Sequence, residues 1–576
     1  MDKDLKKLIA AARGDIRADL VLRNARIVNV FTKEIEEGDV AICDGFIAGI
    51  GQYVGDMEID LKGKIVCPGF IDGHIHIESS MISPSEFAKA VVPHGTTAVI
   101  TDPHEIANVA GEEGISFMLD SSRDLPLDVF FMLPSCVPAT PLDESGAILN
   151  SDQLGQFYNE ERVLGLAELM NSYGTVRCDE EIIAKIKGAV DQDKRIDGHA
   201  PGLTGKDLNA YIAAGVMSDH ECSTAEEAIE KLKRGQYIMI RQGTAARNLK
   251  ALLPLFDDKY CGRCLLVTDD KHPGDLIYQG HIDHIITEAV TSGADPLNAI
   301  RMATINAATY FGLKDRGAVA PGYIADLIVI SDLNDINVEK VFKNGTLVSE
   351  DGNLRTPIRS FERDEDKYRR VYHSFNLREI TSEDFVIRET GSKKRVIKMI
   401  PGELLTEEII VPNDKEGGVD IDNDIIKIAV IERHKNTGHI GVGFVTGYGL
   451  KKGAIASSVA HDSHNLIVAG TNDIDMALAA NAVRENEGGL AIAADGKVLS
   501  TLSLPLGGLM CDKDVFFVED ALITMKRQAR ELGVTKGVDP FMTLAFTALP
   551  VIPKLRIITK GVVDVDTQSY APVIFD

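Results

Sequence analysis

The stretch "PGFIDGHIHIESSM", residues 68–81, decides the fold. An apolar, β-branched run ends here in His74, His76 and Glu78, side chains able to bind metal or carry protons where a buried strand should be finishing. Residues two apart in a strand face the same side, so His74 and His76 can point together at one ion. An H-x-H pair alone is a weak signal, and two satisfied or exposed histidines explain it equally well.

The same design recurs downstream. "TTAVITDPHE" (96–105), "LDVFFMLPSC" (127–136), "RVLGLAELM" (162–170), "KRIDGHAPG" (194–202), "AGVMSDHE" (214–221), "YIMIRQG" (237–243) and "CLLVTDD" (264–270) are further strand-like runs ending in polar residues. Helical stretches separate them, such as "SPSEFAKAVVPHG" (83–95) and "TAEEAIEKLKRG" (224–235), each opened by Ser or Thr and closed by Gly. Eight β-then-α units over some 250 residues predict a (β/α)8 barrel, in which the C-terminal strand ends converge on one mouth. That mouth collects His74, His76, Asp102, His104, Glu168, His199, His220 and Asp269.

Outside the barrel, strands joined by Asp-Gly and Gly-rich turns fill residues 18–67, too few for an independent domain, and the texture returns at 317–348. The expected organisation is a composite β domain (1–67 and 316–365) interrupted by the barrel (68–315). A charged stretch, "SFERDEDKYRRVYHS" (360–374), reads as a linker or exposed helix. Beyond it a separate α+β domain is expected over 366–576, with a helix at "DVFFVEDALITMKRQARELG" (514–533).

Composition agrees with a globular chain of two or three domains. The 576 residues are 44% hydrophobic and 26% charged, and 61 basic against 87 acidic side chains leave a net charge of −26. That balance opposes binding to nucleic acid or an anionic membrane and favours a small uncharged substrate. The first twenty residues lack the apolar core of a signal peptide, and no run of eighteen apolar residues occurs. Eight scattered cysteines make no disulfide framework, so a reducing cytoplasm is the expected compartment.

Taken as ligands, His199 and His220 follow consecutive strands and could hold a second ion beside that of His74 and His76. Glu168, set among apolar neighbours, needs a cationic partner or a metal, and one carboxylate can bridge two ions. Asp269 could bind metal or accept a proton from bound water.

These residues, with "GTTAVITDPHEIANVAG" (95–111) and "LPLGGLM" (504–510), resemble the bacterial and archaeal adenine deaminases of the amidohydrolase superfamily over nearly the whole chain. The resemblance implies a metal-dependent hydrolase barrel with two divalent ions, Mn or Fe for activity, with Zn tolerated. It makes His74, His76 and Asp269 ligands of one ion, His199 and His220 ligands of the other, and Glu168 the bridge. Many relatives bridge instead with a carboxylated lysine, but no lysine lies between Lys89 and Lys185. The implied reaction is hydrolytic deamination of adenine to hypoxanthine and ammonia by a bridging hydroxide, in purine salvage, with Asp269 and Glu168 as the catalytic residues. Glu78, Ser80, Asp102, His104, Glu105 and His461 are candidates for contact with the purine, and "VAHDSHN" (459–465) for a loop closing over the mouth. A homodimer or larger assembly is expected.

Two other readings keep the fold: a cyclic amide hydrolase of the dihydropyrimidinase or dihydroorotase kind, and a non-catalytic interaction protein. The missing lysine argues against the first and the complete ligand set against the second. A cytidine-deaminase zinc site would need H-x-E with P-C-x-x-C. Here Tyr260 replaces the proline before Cys261 and Cys264, and the two pieces lie a barrel apart.

Overall fold

Eight short parallel strands run in chain order, and we number them β1 (Phe70–Ile75), β2 (Thr96–Thr101), β3 (Asp128–Leu133), β4 (Val163–Leu169), β5 (Arg195–Gly198), β6 (Ser218–Asp219), β7 (Tyr237–Arg241) and β8 (Cys264–Val267). The computed structural model describes residues 3–244, 246–401 and 403–576. Strands β1–β5 form one parallel ladder and β6–β8 a second. A parallel bridge between Ile75 and Asp269 brings the end of β8 back to β1. β1 and β2 are buried throughout, as strands covered on both faces must be. Ile71, Ala98, Ile100, Met132, Ala167, Met239, Leu265 and Val267 pack against Tyr310 and Phe311 in one apolar cluster.

Local chemistry fixes the connections. The Thr224 hydroxyl accepts the Glu227 N–H at the start of helix Ala225–Lys233, and Gly235 turns out of it at φ 95°. Between β5 and β6 the approach is so close that a Cβ on Gly198 would lie 2.2 Å from the Ser218 carbonyl oxygen. Only glycine permits that contact, which sets His199 beside His220.

The two flanking segments share a nine-stranded sheet: Ile65–Pro68 pairs antiparallel with Leu327–Ile330, Pro68 opposite Leu327. The charged stretch near residue 365 differs from the linker or exposed helix expected: it forms a short helix, Arg369–Tyr372, that is partly buried. Tyr368, Val371 and Tyr372 are buried, and Tyr368 and Tyr372 meet Phe117 edge to face at 5.4 and 6.0 Å. Charged neighbours conceal an apolar pair four residues apart, the spacing of one helical face.

The C-terminal region holds a nine-stranded sheet whose strand order runs from Thr406–Pro412 to the edge strand Lys497–Ser503. Helix Asp473–Glu485 packs on it, as does helix Val515–Glu531, whose start Asp514 caps by accepting the Phe516 N–H. A three-stranded sheet follows (Leu555–Ile558, Gly561–Asp564, Ser569–Tyr570), and Ile574–Phe575 then returns to pair with Lys393–Met399. Among the described residues no helix is long and apolar enough to cross a membrane.

Candidate metal centre

Strand ends supply the cluster. β1 carries His74, with His76 one residue beyond it. β4 carries Glu168, His199 follows β5, His220 follows β6, and Asp269 lies two residues past β8. Asp269 takes φ 61°, a left-handed conformation costly for a non-glycine residue, and its N–H donates to the His74 carbonyl. All six are buried except His199, which is partly open.

Glu168 sits at the centre with its oxygens facing two different groups. Oε1 lies 3.1 Å from His76 Nε2 and 3.8 Å from His74 Nε2, while Asp269 Oδ1 is 3.3 and 3.8 Å from the same two nitrogens. Oε2 lies 3.0 Å from His199 Nδ1 and 3.4 Å from His220 Nε2, and those nitrogens are 3.2 Å apart. Ligands bonded at about 2.1 Å to one ion stand roughly 3.0–3.4 Å apart in octahedral or tetrahedral geometry. Most of these separations fall in that range.

The donor set fits divalent ions on independent grounds. His76 Nδ1 donates to the Asp102 carbonyl at 3.0 Å, which makes Nε2 the nitrogen that faces Glu168 and Asp269 and would bind an ion on giving up its proton. His74 Nε2 and Glu168 Oε1 are buried without a hydrogen-bond partner among the described residues. Burial holds His74 well below the usual imidazole range, with His220 adding to the effect, so it is neutral. For Glu168 burial opposes the charge, but the imidazoles of His104, His199, His220 and His76 around it hold its carboxyl well below the ordinary range. Asp269 behaves alike: burial pushes it up, and His76 and Arg241 override burial. The carboxylates thus demand positive charge. Protons on His76 and His220 are one source, and ions between nitrogen and oxygen are the other.

The six residues expected near the substrate fall into three roles. His104 Nδ1 is 3.0 Å from Asp102 Oδ2 and 3.4 Å from Glu168 Oε1, and its Nε2 is 3.5 Å from Glu105 Oε1. Burial disfavours its charge, but Asp102 and Glu105 raise it well above the usual range. Glu78, pushed up to about 7 by burial, accepts the Ile106 N–H at the start of helix His104–Ala110. The Ser80 hydroxyl donates to the Ile77 carbonyl at 2.5 Å.

Glu105 and His461 join the barrel to the C-terminal region. Glu105 Oε1 is 2.9 Å from His461 Nδ1, and Oε2 accepts from His464 Nε2. His464 Nδ1 accepts the Ala460 N–H, so its proton sits on Nε2 and the trio is a hydrogen-bond clamp. His461 stacks on Phe546 with centroids 4.5 Å apart, and Asp462 Oδ1 reaches within 3.9 Å of His104 Nε2. Behind the clamp, the buried Arg433 donates to the carbonyls of His464, Ser374 and Gly507.

A family model described as the adenine deaminase C-terminal domain matches residues 403–569, and one described as the amidohydrolase family matches 65–348. The chain is 50% identical to adenine deaminase 2 of Carboxydothermus hydrogenoformans, across 99% of this chain and 100% of that one. The chain belongs to the adenine deaminase family. Adenine deaminases of Desulfatibacillum aliphaticivorans (49% identity, 98% of each chain) and Geobacillus kaustophilus (47%, 100% of each) are similarly close. Among solved structures, an enamidase titled as a member of the amidohydrolase superfamily aligns with 59% of this chain and 98% of its own, at 19% identity and TM-score 0.46.

In this adenine deaminase family member, the structure also brings in residues that sequence reading passed over. Arg241, ending β7, donates to Asp269 Oδ2 at 2.7 Å and grips both oxygens of Glu221. Glu221 in turn is 3.6 Å from His199 and 3.5 Å from His220. Asp270 accepts from the Ser79 hydroxyl and, with His461, His272 and Phe541, lines a narrow cavity beside the cluster. Their signal was position: each ends or follows a strand in a quoted motif, "SDHE", "RQG" or "VTDD".

Proposed function

We propose that this protein deaminates adenine to hypoxanthine and ammonia at a site holding two divalent ions, Mn or Fe in the active form with Zn tolerated. Family membership supports the reaction. The observation that carries the site is Glu168, whose two oxygens face separate histidine groups, His74 with His76 and His199 with His220. In this reading His74, His76 and Asp269 hold one ion, His199 and His220 the other, and Glu168 both. Bound there, the ions would supply the Lewis acidity that lets water ionise near neutral pH.

The remaining work falls to the chain. Adenine exchanges its C6 amine for oxygen, so the ring must gain a proton and the amine must be protonated before it leaves. Asp269 and His104 are the proton carriers. Arg241 fixes Asp269 Oδ2, leaving Oδ1 toward the cluster, and His104 connects Glu168 with Glu105 through its two ring nitrogens. The clamp of Glu105, His461 and His464 keeps the C-terminal region over the mouth and limits access of bulk water. The domain limits at 67/68, 315/316 and 365/366, the assembly into a homo-oligomer and a cytoplasmic location belong to the same reading.

The test is ammonia release from adenine by protein stripped and reloaded with Mn²⁺, beside adenosine, guanine, cytosine and dihydrouracil. Hypoxanthine formed only by the loaded protein is the expected result. Turnover of dihydrouracil with silence on adenine would instead assign the site to cyclic amides.

A further inference from the structure

Helix Val515–Glu531 buries one face, Val515, Val518, Leu522, Met525 and Ala529, where it packs on the C-terminal sheet and against the barrel helices Pro84–Val91 and Pro273–Tyr278. Its opposite face is an exposed stripe of Phe516, Asp520, Ile523, Arg527 and Arg530, at alternating spacings of four and three residues. That is the spacing of a two-helix seam. Phe516 is 55% and Ile523 50% exposed, which leaves apolar surface facing solvent in a folded chain. Among the described residues Asp520, Arg527 and Arg530 have no ion-pair partner, whereas nearby Lys526 is held by Asp539 at 2.7 Å.

We infer that this stripe is the docking surface for a second copy of the chain, related by a twofold axis beside Ile523. The inference rests on the reading that the protein self-associates and assigns the surface that does it. Charge order along the stripe selects the occupant. The acid lies toward the N-terminal end and the bases toward the C-terminal end, so an antiparallel copy centred on Ile523 places Asp520 opposite Arg527 and Phe516 opposite Arg530. Both protomers then gain ion pairs and a cation–π contact from the same residues, as an isologous interface requires. A parallel copy would set like charges against each other.

The flank of the helix extends the contact. The Ser500 hydroxyl donates to Gln528 Oε1, so that side of the helix faces the edge strand Lys497–Ser503. Phe517, eleven residues before Gln528 and therefore on the same side, is 55% exposed, and Val498 and Leu499 on the edge strand are 43% and 44% exposed. The twofold keeps this side common to both copies, bringing Phe517 of one over Val498 and Leu499 of the other. A helix of this length, about 25 Å, with the strand beside it spans the patch that a standard interface covers.

Sedimentation equilibrium on the full chain tests the surface. The wild type should run at twice the 62.5 kDa chain mass. Ile523→Asp should yield monomer. Asp520→Arg and Arg527→Asp should each weaken dimerisation at least tenfold, and their combination should restore it to within about threefold of wild type, an outcome misfolding cannot imitate. A monomeric wild type at micromolar concentration would overturn both the surface and the self-association reading, leaving the stripe to a different protein. A wild-type dimer indifferent to Ile523→Asp and Asp520→Arg would overturn the surface alone.

Discussion

Replacing Glu105 by Gln removes the one carboxylate through which His461 and His464 hold the C-terminal region on the barrel, and keeps the side chain's shape. Burial disfavours the His461 cation, but Glu105 overrides it and raises the imidazole from 6.5 to about 9. The shift of about 2.5 pH units, at 1.36 kcal/mol per unit, makes the charged His461 worth roughly 3 kcal/mol in this setting, with Glu105 the largest favourable contributor and Asp270 and Asp462 adding to it. His461 and Glu105 are both buried, so solvent screening removes little of it. At about 2–4 °C per kcal/mol for a unit of 150–250 residues, Glu105→Gln should lower the melting of the C-terminal region by about 6–12 °C.

The sign of the pH dependence follows from the raised value. Protonated His461 contributes its full stability below pH 6.5 and loses it as pH rises through about 9. Calorimetry from pH 6 to 10 should show that decline in the parent protein and a flatter profile in Glu105→Gln. The variant should also lose deaminase turnover, since His104 Nε2 loses its carboxylate partner. A variant melting within 1 °C of the parent, with an unchanged pH profile, would refute the clamp.

Other substitutions address the centre itself. Glu168→Ala should lower kcat/KM on adenine by at least about 100-fold, more than a supporting residue is worth, and halve the metal bound per chain or worse by elemental analysis. Arg241→Met leaves Glu221 and Asp269 without their shared cation, and kcat should fall about 10–100-fold with metal content retained; an unchanged kcat would remove Arg241 from the machinery. Arg433→Met orphans the carbonyls of His464, Ser374 and Gly507, at about 1–3 kcal/mol each, and hydrogen exchange in residues 458–465 should speed up accordingly.

The barrel was legible because its signal is local and repeated. Each strand is an apolar run closed by a polar residue, which placed eight candidates at the mouth, and the family resemblance narrowed them to six proposed ligands. Arg241 was not singled out, because a charged residue at a strand end looks like surface until Glu221 and Asp269 are seen around it. The pairing of Glu105 with His461 and His464 spans more than 350 residues of sequence and leaves no periodic mark in either segment. Tyr368 and Tyr372 were concealed differently: the acidic and basic residues between and beside them outweighed a two-residue apolar face.

Charge at the mouth leads to one more measurable consequence. Asp102, Glu105, Glu168, Glu221, Asp269, Asp270 and Asp462 crowd one end of the barrel, and among the described residues Arg241 is the permanent cation paired with any of them. Without ions the imidazoles must supply the difference. Burial disfavours charge on both His76 and His220, yet Asp269 and Glu168 raise His76 well above its usual range, and Glu168 raises His220 to about 9. Both nitrogens are candidate ligands, and a ligand nitrogen must give up its proton to an ion. Adding Mn²⁺ to stripped protein at pH 7 in weak buffer should therefore release about two protons per chain, with release declining as pH rises through about 9. His76→Gln should release about one fewer. Binding of Mn²⁺ with no proton release at pH 7 would show that the ions do not displace protons from His76 and His220, and would refute the ligand assignment even if the protein were active on adenine.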